Sequence, residues 1–175
     1  MDGLRAGRVW VDHGGLISGM DVQLRTADRW RQSCTTLGGV LHASLGTEVE
    51  LVISIDLANG PNWAQFVPTL ARVDVIQGDV TGPVSDRDTM AAPNTKVVKS
   101  FEVNRAAGTV QFVHPLGALT KPVYVRLRGT DGNRTAPGLR GAAVDPAGPA
   151  MDAAGDADPW KDLWFYTNPM WALPA

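Results

Sequence analysis

The chain has 175 residues, 44% of them hydrophobic and 19% charged, with a formal net charge of −2. That is enough for one domain with a sizeable core, and it offers no basic surplus of the kind that nucleic acid or an anionic membrane attracts. No apolar run approaches the roughly 20 residues of a helical membrane span, and a single cysteine, Cys34, excludes an internal disulfide framework.

In chain order, residues 1–6 read as the last turn of a helix with Gly7 as its stop. Residues 9–11 read as a strand, turned by Gly14-Gly15. Residues 16–25 continue as a strand, because Met20, Val22 and Leu24 alternate with Asp21, Gln23 and Arg25. Residues 37–45 and 48–57 form an expected hairpin around Leu45-Gly46-Thr47. In its second arm Val49, Leu51, Ile53 and Ile55 share one face, with Glu48, Glu50 and Ser54 on the other. Such a strand has one buried and one wet face, as in antiparallel sandwiches.

A loop around Asn59-Gly60-Pro61-Asn62 leads to a strand at 70–78. After an irregular stretch at 79–95, strands at 96–104 and 108–114 form a second expected hairpin. Val123, Val125 and Leu127 alternate with Tyr124, Arg126 and Arg128 in the next strand. A long Gly-, Ala-, Asp- and Pro-rich excursion occupies 130–162, and the last strand, 163–173, is broken by Asn168-Pro169 at a bulge or edge. Many short strands without amphipathic helices between them predict an all-β, antiparallel β-sandwich, immunoglobulin-like, with a jelly roll as the alternative.

Few residues stand out as sites. Cys34 has no activating neighbour in sequence, so it reads as a small, buried or partly buried residue. His13, His42 and His114 fall on three separate elements, and His13 and the adjacent Asp12 would point to opposite faces of a strand. The excursion and its flanks gather Asp131, Asn133, Asp145, Asp152, Asp156, Asp158 and Asp162. Oxygen ligands on a loop suit calcium, but the EF-hand spacing is missing and Asp-Gly and Asn equally make turns. Of six tryptophans, Trp63 and Trp160 lie in loops and are the candidates for stacking on a sugar ring; the others read as core or interface filling. Arg126 and Arg128 share one strand face and suit a phosphate or simply cover a sheet. Asp74, Asp79 and Asp86, set between glycines, read as solvated turn residues. No nucleophile elbow, phosphate-binding loop or dinucleotide fingerprint occurs.

Two ends of the chain carry a resemblance. Leu4-Arg5-Ala6-Gly7-Arg8-Val9-Trp10-Val11 and Leu163-Trp164-Phe165-Tyr166-Thr167-Asn168-Pro169-Met170-Trp171 resemble the segments that close the catalytic barrel and the following β-domain in bacterial PHP (polymerase and histidinol phosphatase) metallophosphoesterases. Leu70-Ala71-Arg72-Val73-Asp74-Val75-Ile76-Gln77-Gly78 and Tyr124-Val125-Arg126-Leu127-Arg128-Gly129-Thr130-Asp131 are similar to paired outer strands of that β-domain. The barrel and its His-x-His ligands are absent, so no catalytic, cofactor or metal residue carries over to this chain; the parent family uses divalent metals.

The resemblance implies that residues 1–15 are the remnant of a catalytic domain and linker, and that 16–175 form an accessory sandwich with its long loop at 130–162. It implies a partner: a PHP barrel, in cis or in trans, whose substrate entrance the domain shapes, or a homodimer contact. A Met1 inside the head motif reads as a truncation. The alternative is a free-standing carbohydrate-binding module. The possible ligand contacts are Trp63, Trp160, Arg126, Arg128, Asp131 and Asn133. The first residues lack the basic start and apolar stretch of a signal peptide, and the location is not legible.

Overall fold

A computed structural model describes residues 1–28, 30, 32–89, 92–132, 139–140, 150–151 and 163–175. A one-turn helix, α1 (Asp2–Arg5), ends at Gly7, whose φ of +69° is a backbone state that glycine adopts without strain. The strands are β1 (Trp10–Asp12), β2 (Ile17–Thr26), β3 (Cys34–Thr35), β4 (Val40–Ala43), β5 (Glu48–Leu57), β6 (Arg72–Asp79), β7 (Lys96–Glu102), β8 (Thr109–Ala118), β9 (Val123–Thr130), β10 (Leu139–Arg140), β11 (Ala150–Met151), β12 (Trp164–Thr167) and β13 (Met170–Pro174).

Eleven of them form two packed sheets, while β10 and β11 pair only with each other. One has the order β3-β2-β5-β8. In the other, β7 pairs with β6, β6 with β9, and β9 with both β12 and β13, which lie end to end as one strand broken at Asn168-Pro169. Beyond them, β1 pairs antiparallel with β12 and β4 parallel with β13. The order β2-β5-β8 against β7-β6-β9-β12/β13 is A-B-E against C′-C-F-G, the immunoglobulin-like arrangement rather than the jelly roll.

Alternation builds the core. Leu24, Leu51, Ile53 and Ile55 from one sheet meet Val73, Val75, Val125, Leu127, Phe165 and Met170 from the other, all fully buried. Each such side chain contributes about 1.5–3 kcal/mol.

Both expected hairpins are corrected. The 37–45 segment does not pair with β5; as β4 it crosses to the other sheet and lies beside β13. Likewise β7 pairs with β6 and β8 with β5, so the chain changes sheets between them. In each case a short turn joins two strands whose apolar faces point into the core from opposite layers. Sequence neighbours look like a hairpin either way.

At that sheet change the edges β7 and β8 close the core with aromatic rings. Phe101 and Phe112 stack at 4.6 Å, and His114 meets Phe101 edge-on at 6.5 Å. Burial first, and Lys99 second, push the His114 imidazole below its ordinary value. An unfolded chain takes up this proton near pH ~6.5, where the native state resists it. The unfolded state then binds more protons, so stability falls as pH drops through that value and levels off below the folded-state one. Urea midpoints at about pH 7.5 and 5.5 should therefore differ more for the wild type than for His114→Gln. Equal losses would remove His114 as the cause.

Candidate interaction face

The sheet β7-β6-β9-β12/β13 has a second face, turned away from the core. Strand alternation dictates who occupies it. Since Val73, Val75, Val125, Leu127, Phe165 and Met170 point inward, Arg72, Asp74, Ile76, Tyr124, Arg126, Arg128, Trp164, Tyr166 and Trp171 point outward. Register sets them in rows across the strands. Val11, Tyr166, Arg128, Asp74 and Ser100 lie side by side, as do Trp164, Thr130 and Arg72. Arg126 lies across from Ile76, and Trp171 across from Tyr124.

An ion-pair network holds the middle of this face. The Asp74 side chain is 1% exposed and that of Arg128 6%. Arg128 donates from Nη2 (2.7 Å) and Nε (3.1 Å) to Asp74 Oδ2. Arg72 Nη2 donates to the same oxygen at 3.1 Å, and the Ser100 hydroxyl donates to Oδ1 at 2.7 Å. Arg72 Nε lies 2.9 Å from Oδ1 as an ion pair without hydrogen-bond alignment. The Arg128 guanidinium also stands over the Trp164 ring at 5.2 Å, and Trp164 stacks on Tyr166 at 6.2 Å.

Tyr124 is fixed at the other end of the face. Its hydroxyl shares a 2.6 Å hydrogen bond with Thr95 Oγ1, and its ring lies over Gly78, where a Cβ would overlap it. Asp79, at the end of β6, accepts from Asn94 (2.6 Å) and Lys121 (2.7 Å), and these bonds hold its carboxyl below the ordinary range.

The residues singled out in the sequence are scattered. Arg126 and Arg128 share this face, but Arg128 is committed to Asp74. Asp131 clasps the base of the long excursion: its carboxylate accepts the Leu163 N–H at 3.1 Å, and its own N–H donates to the Leu163 carbonyl at 3.1 Å. Trp63 stands apart, 71% exposed, on the loop between β5 and β6. Asn62 shapes that loop, accepting the Ala64 N–H at 3.0 Å and donating to the Gly14 carbonyl at 2.9 Å. Trp160 and Asn133 lie outside the described residues. Among the described residues no three His, Cys, Asp or Glu side chains gather as a metal site would need.

Two readings are corrected. Asp74 is not a solvated turn residue; it is buried within β6. A carboxylate between Val73 and Val75, with arginines at alternate positions of another strand, was the available signal. Cys34 is exposed on the edge strand β3 rather than buried. Asp12 accepts the Leu16 and Ile17 N–H groups at 3.0 and 3.1 Å, closing the turn before β2.

Compared with known proteins, the chain matches no family model, no curated protein and no solved structure.

Proposed function

We propose that this chain is a non-catalytic accessory domain of a PHP-type phosphoesterase, docking on a catalytic barrel through the outward face of β6-β9-β12/β13 and the adjoining head segment. The observation that carries the reading is the meeting of the two motif-bearing ends. Asn168 donates from its backbone N–H to the Val9 carbonyl and from Nδ2 to the Gly7 carbonyl, both at 3.1 Å. Trp10–Asp12 pairs with Phe165–Thr167. The head thus arrives beside the aromatic face, and a domain tethered ahead of it would be held there at high effective concentration.

The head segment adds apolar exposure of its own. Leu4 and Val11 are 68% and 70% exposed. On the side of β1 opposite Val11, Trp10 lines a groove of about 570 Å³ with Arg8, Leu37 and the β2 residues Met20 and Val22 of the other sheet. Exposed apolar groups gathered in this way mark interaction sites more often than chance surface. In the parent enzyme, metal-activated water on the barrel would cleave the phosphoester, and this domain would border the substrate entrance. The purified chain should bind an apolar dye or self-associate. A monodisperse monomer that leaves the dye dark would sink the proposal.

One observation favours a second reading, a glycan-binding module: Trp63 is presented to solvent on a loop held by Asn62. Quenching of tryptophan fluorescence by polysaccharide, lost in Trp63→Ala, would move that reading to the front.

A further inference from the structure

We propose that the free edge of β8 pairs antiparallel with the same edge of a second copy, joining two β3-β2-β5-β8 sheets across a two-fold axis at Phe112. The contact belongs to the other sheet from the docking face and does not rest on the docking reading.

An unpaired strand edge presents a row of N–H and C=O groups that another strand can complete. Proteins blunt such edges with shortness, charge, proline or bulges. Among the described residues, the other terminal strands are protected in that way. The strands β1, β3 and β4 have three, two and four residues, and β7 carries Lys96, Lys99 and Glu102. By contrast β8 has ten residues, pairs only with β5 and holds no Asp, Glu, Lys or Arg. Only its far end is blunted, by Pro115 and by Leu116, the extra residue of a bulge against Val49–Glu50.

Strand geometry decides which groups face outward. Leu57 N–H donates to the Gly108 carbonyl at 2.9 Å. In the same register Val110, Phe112 and His114 turn their backbone groups toward β5, and Thr109, Gln111, Val113 and Pro115 turn theirs to the open edge. Pro115, which has no N–H, thus costs the ladder to β5 nothing. The Thr109 carbonyl already accepts Arg105 Nη1 at 3.0 Å.

Those two details fix the register. With the axis at Phe112, Gln111 of each copy faces Val113 of the other, and each such pair exchanges two hydrogen bonds. Thr109 faces Pro115 and donates to its carbonyl. The donor that Pro115 lacks is then missing opposite the Thr109 carbonyl, which Arg105 already satisfies. Moving the axis to Val113 would set Pro115 against the Gln111 carbonyl and lose that bond. Moving it to Gln111 would carry Pro115 past Thr109 into the connection from β7.

The side chains suit the same arrangement. Phe112, partly buried against the core, meets its own copy at the axis as an aromatic cross-strand pair. Val113, 53% exposed, is covered beside Gln111. A two-fold contact repeats one patch, and an edge without charge meets no like charge in itself. That self-complementarity makes a second copy the occupant.

Sedimentation of the purified chain over a range of concentrations should show a monomer–dimer equilibrium. Gln111→Lys with Val113→Lys sets like charges opposite each other twice and should weaken the dimer at least about 10-fold. Gln111→Glu with Val113→Lys sets opposite charges at the same two places and should bring the dimer back to within about 3-fold of the wild type. Both positions are exposed, so the monomer should melt at an unchanged temperature in either variant. A monomeric wild type would overturn the proposal. An equally strong dimer in the double-lysine variant would also overturn it, because association would then run through another face. So would a charge-pair variant that dimerises no better than the double-lysine one.

Discussion

Replacing Asp74 by alanine is expected to destabilise the domain by about 3–5 kcal/mol, the range for breaking one partner out of a buried ion pair. Asp74 is the shared acceptor of Arg72, Arg128 and Ser100. Its removal leaves the Arg128 guanidinium buried with its main counter-charge gone. The loss of the pair's own attraction is the smaller part, because both charges already paid desolvation to be there. A double change to Asp74→Leu with Arg128→Met should therefore recover most of the stability, since apolar residues of similar volume replace buried pairs at little cost. Urea denaturation of the two variants and the wild type checks this. A single-variant loss under about 1 kcal/mol would mean that water reaches the pair.

Phe165→Ala should cost a similar amount, about 3–5 kcal/mol, from lost transfer energy and the cavity left behind. Phe165 is fully buried and lies across from Gly129 on β9. A Cβ at Gly129 would overlap the Phe165 ring. Gly129→Ala is thus expected to destabilise in the wild-type background and to be milder when combined with Phe165→Leu. Such coupling between contacting sites is what a double-mutant cycle reads. Strict additivity of the two changes would show that the ring moves aside freely and that the glycine is not there to seat it.

Much of the architecture was legible because a half-buried strand writes its burial into alternate residues. Val49, Leu51, Ile53 and Ile55 are all buried in β5, as their spacing indicates, and the break at Asn168-Pro169 does divide the last strand. The stop at Gly7 was legible for a related reason: a local backbone state with φ above zero has a local residue preference. Pairing was less legible. Leu41 and Ala43 are buried in β4 as a hairpin arm would have them, yet their strand belongs to the opposite sheet. Alternation says that one face of a strand is covered; it does not say by which sheet.

The candidate site divides along the same line. Aromatic and arginine residues at alternate positions of 123–130 and 163–171 identify a strand face rich in interaction chemistry. Which arginine is free to act depends on where a carboxylate from β6 arrives, 54 residues away in sequence from Arg128. Composition and local pattern therefore determined the all-β class, the strand faces and the turn positions, because those rest on the chemistry of neighbouring residues. The tertiary structure alone decided that Asp74 is buried, that Arg128 is spent on it while Arg126 is not, and that the head and tail of the chain lie side by side. Those are contacts between distant segments, whose energies no single segment carries.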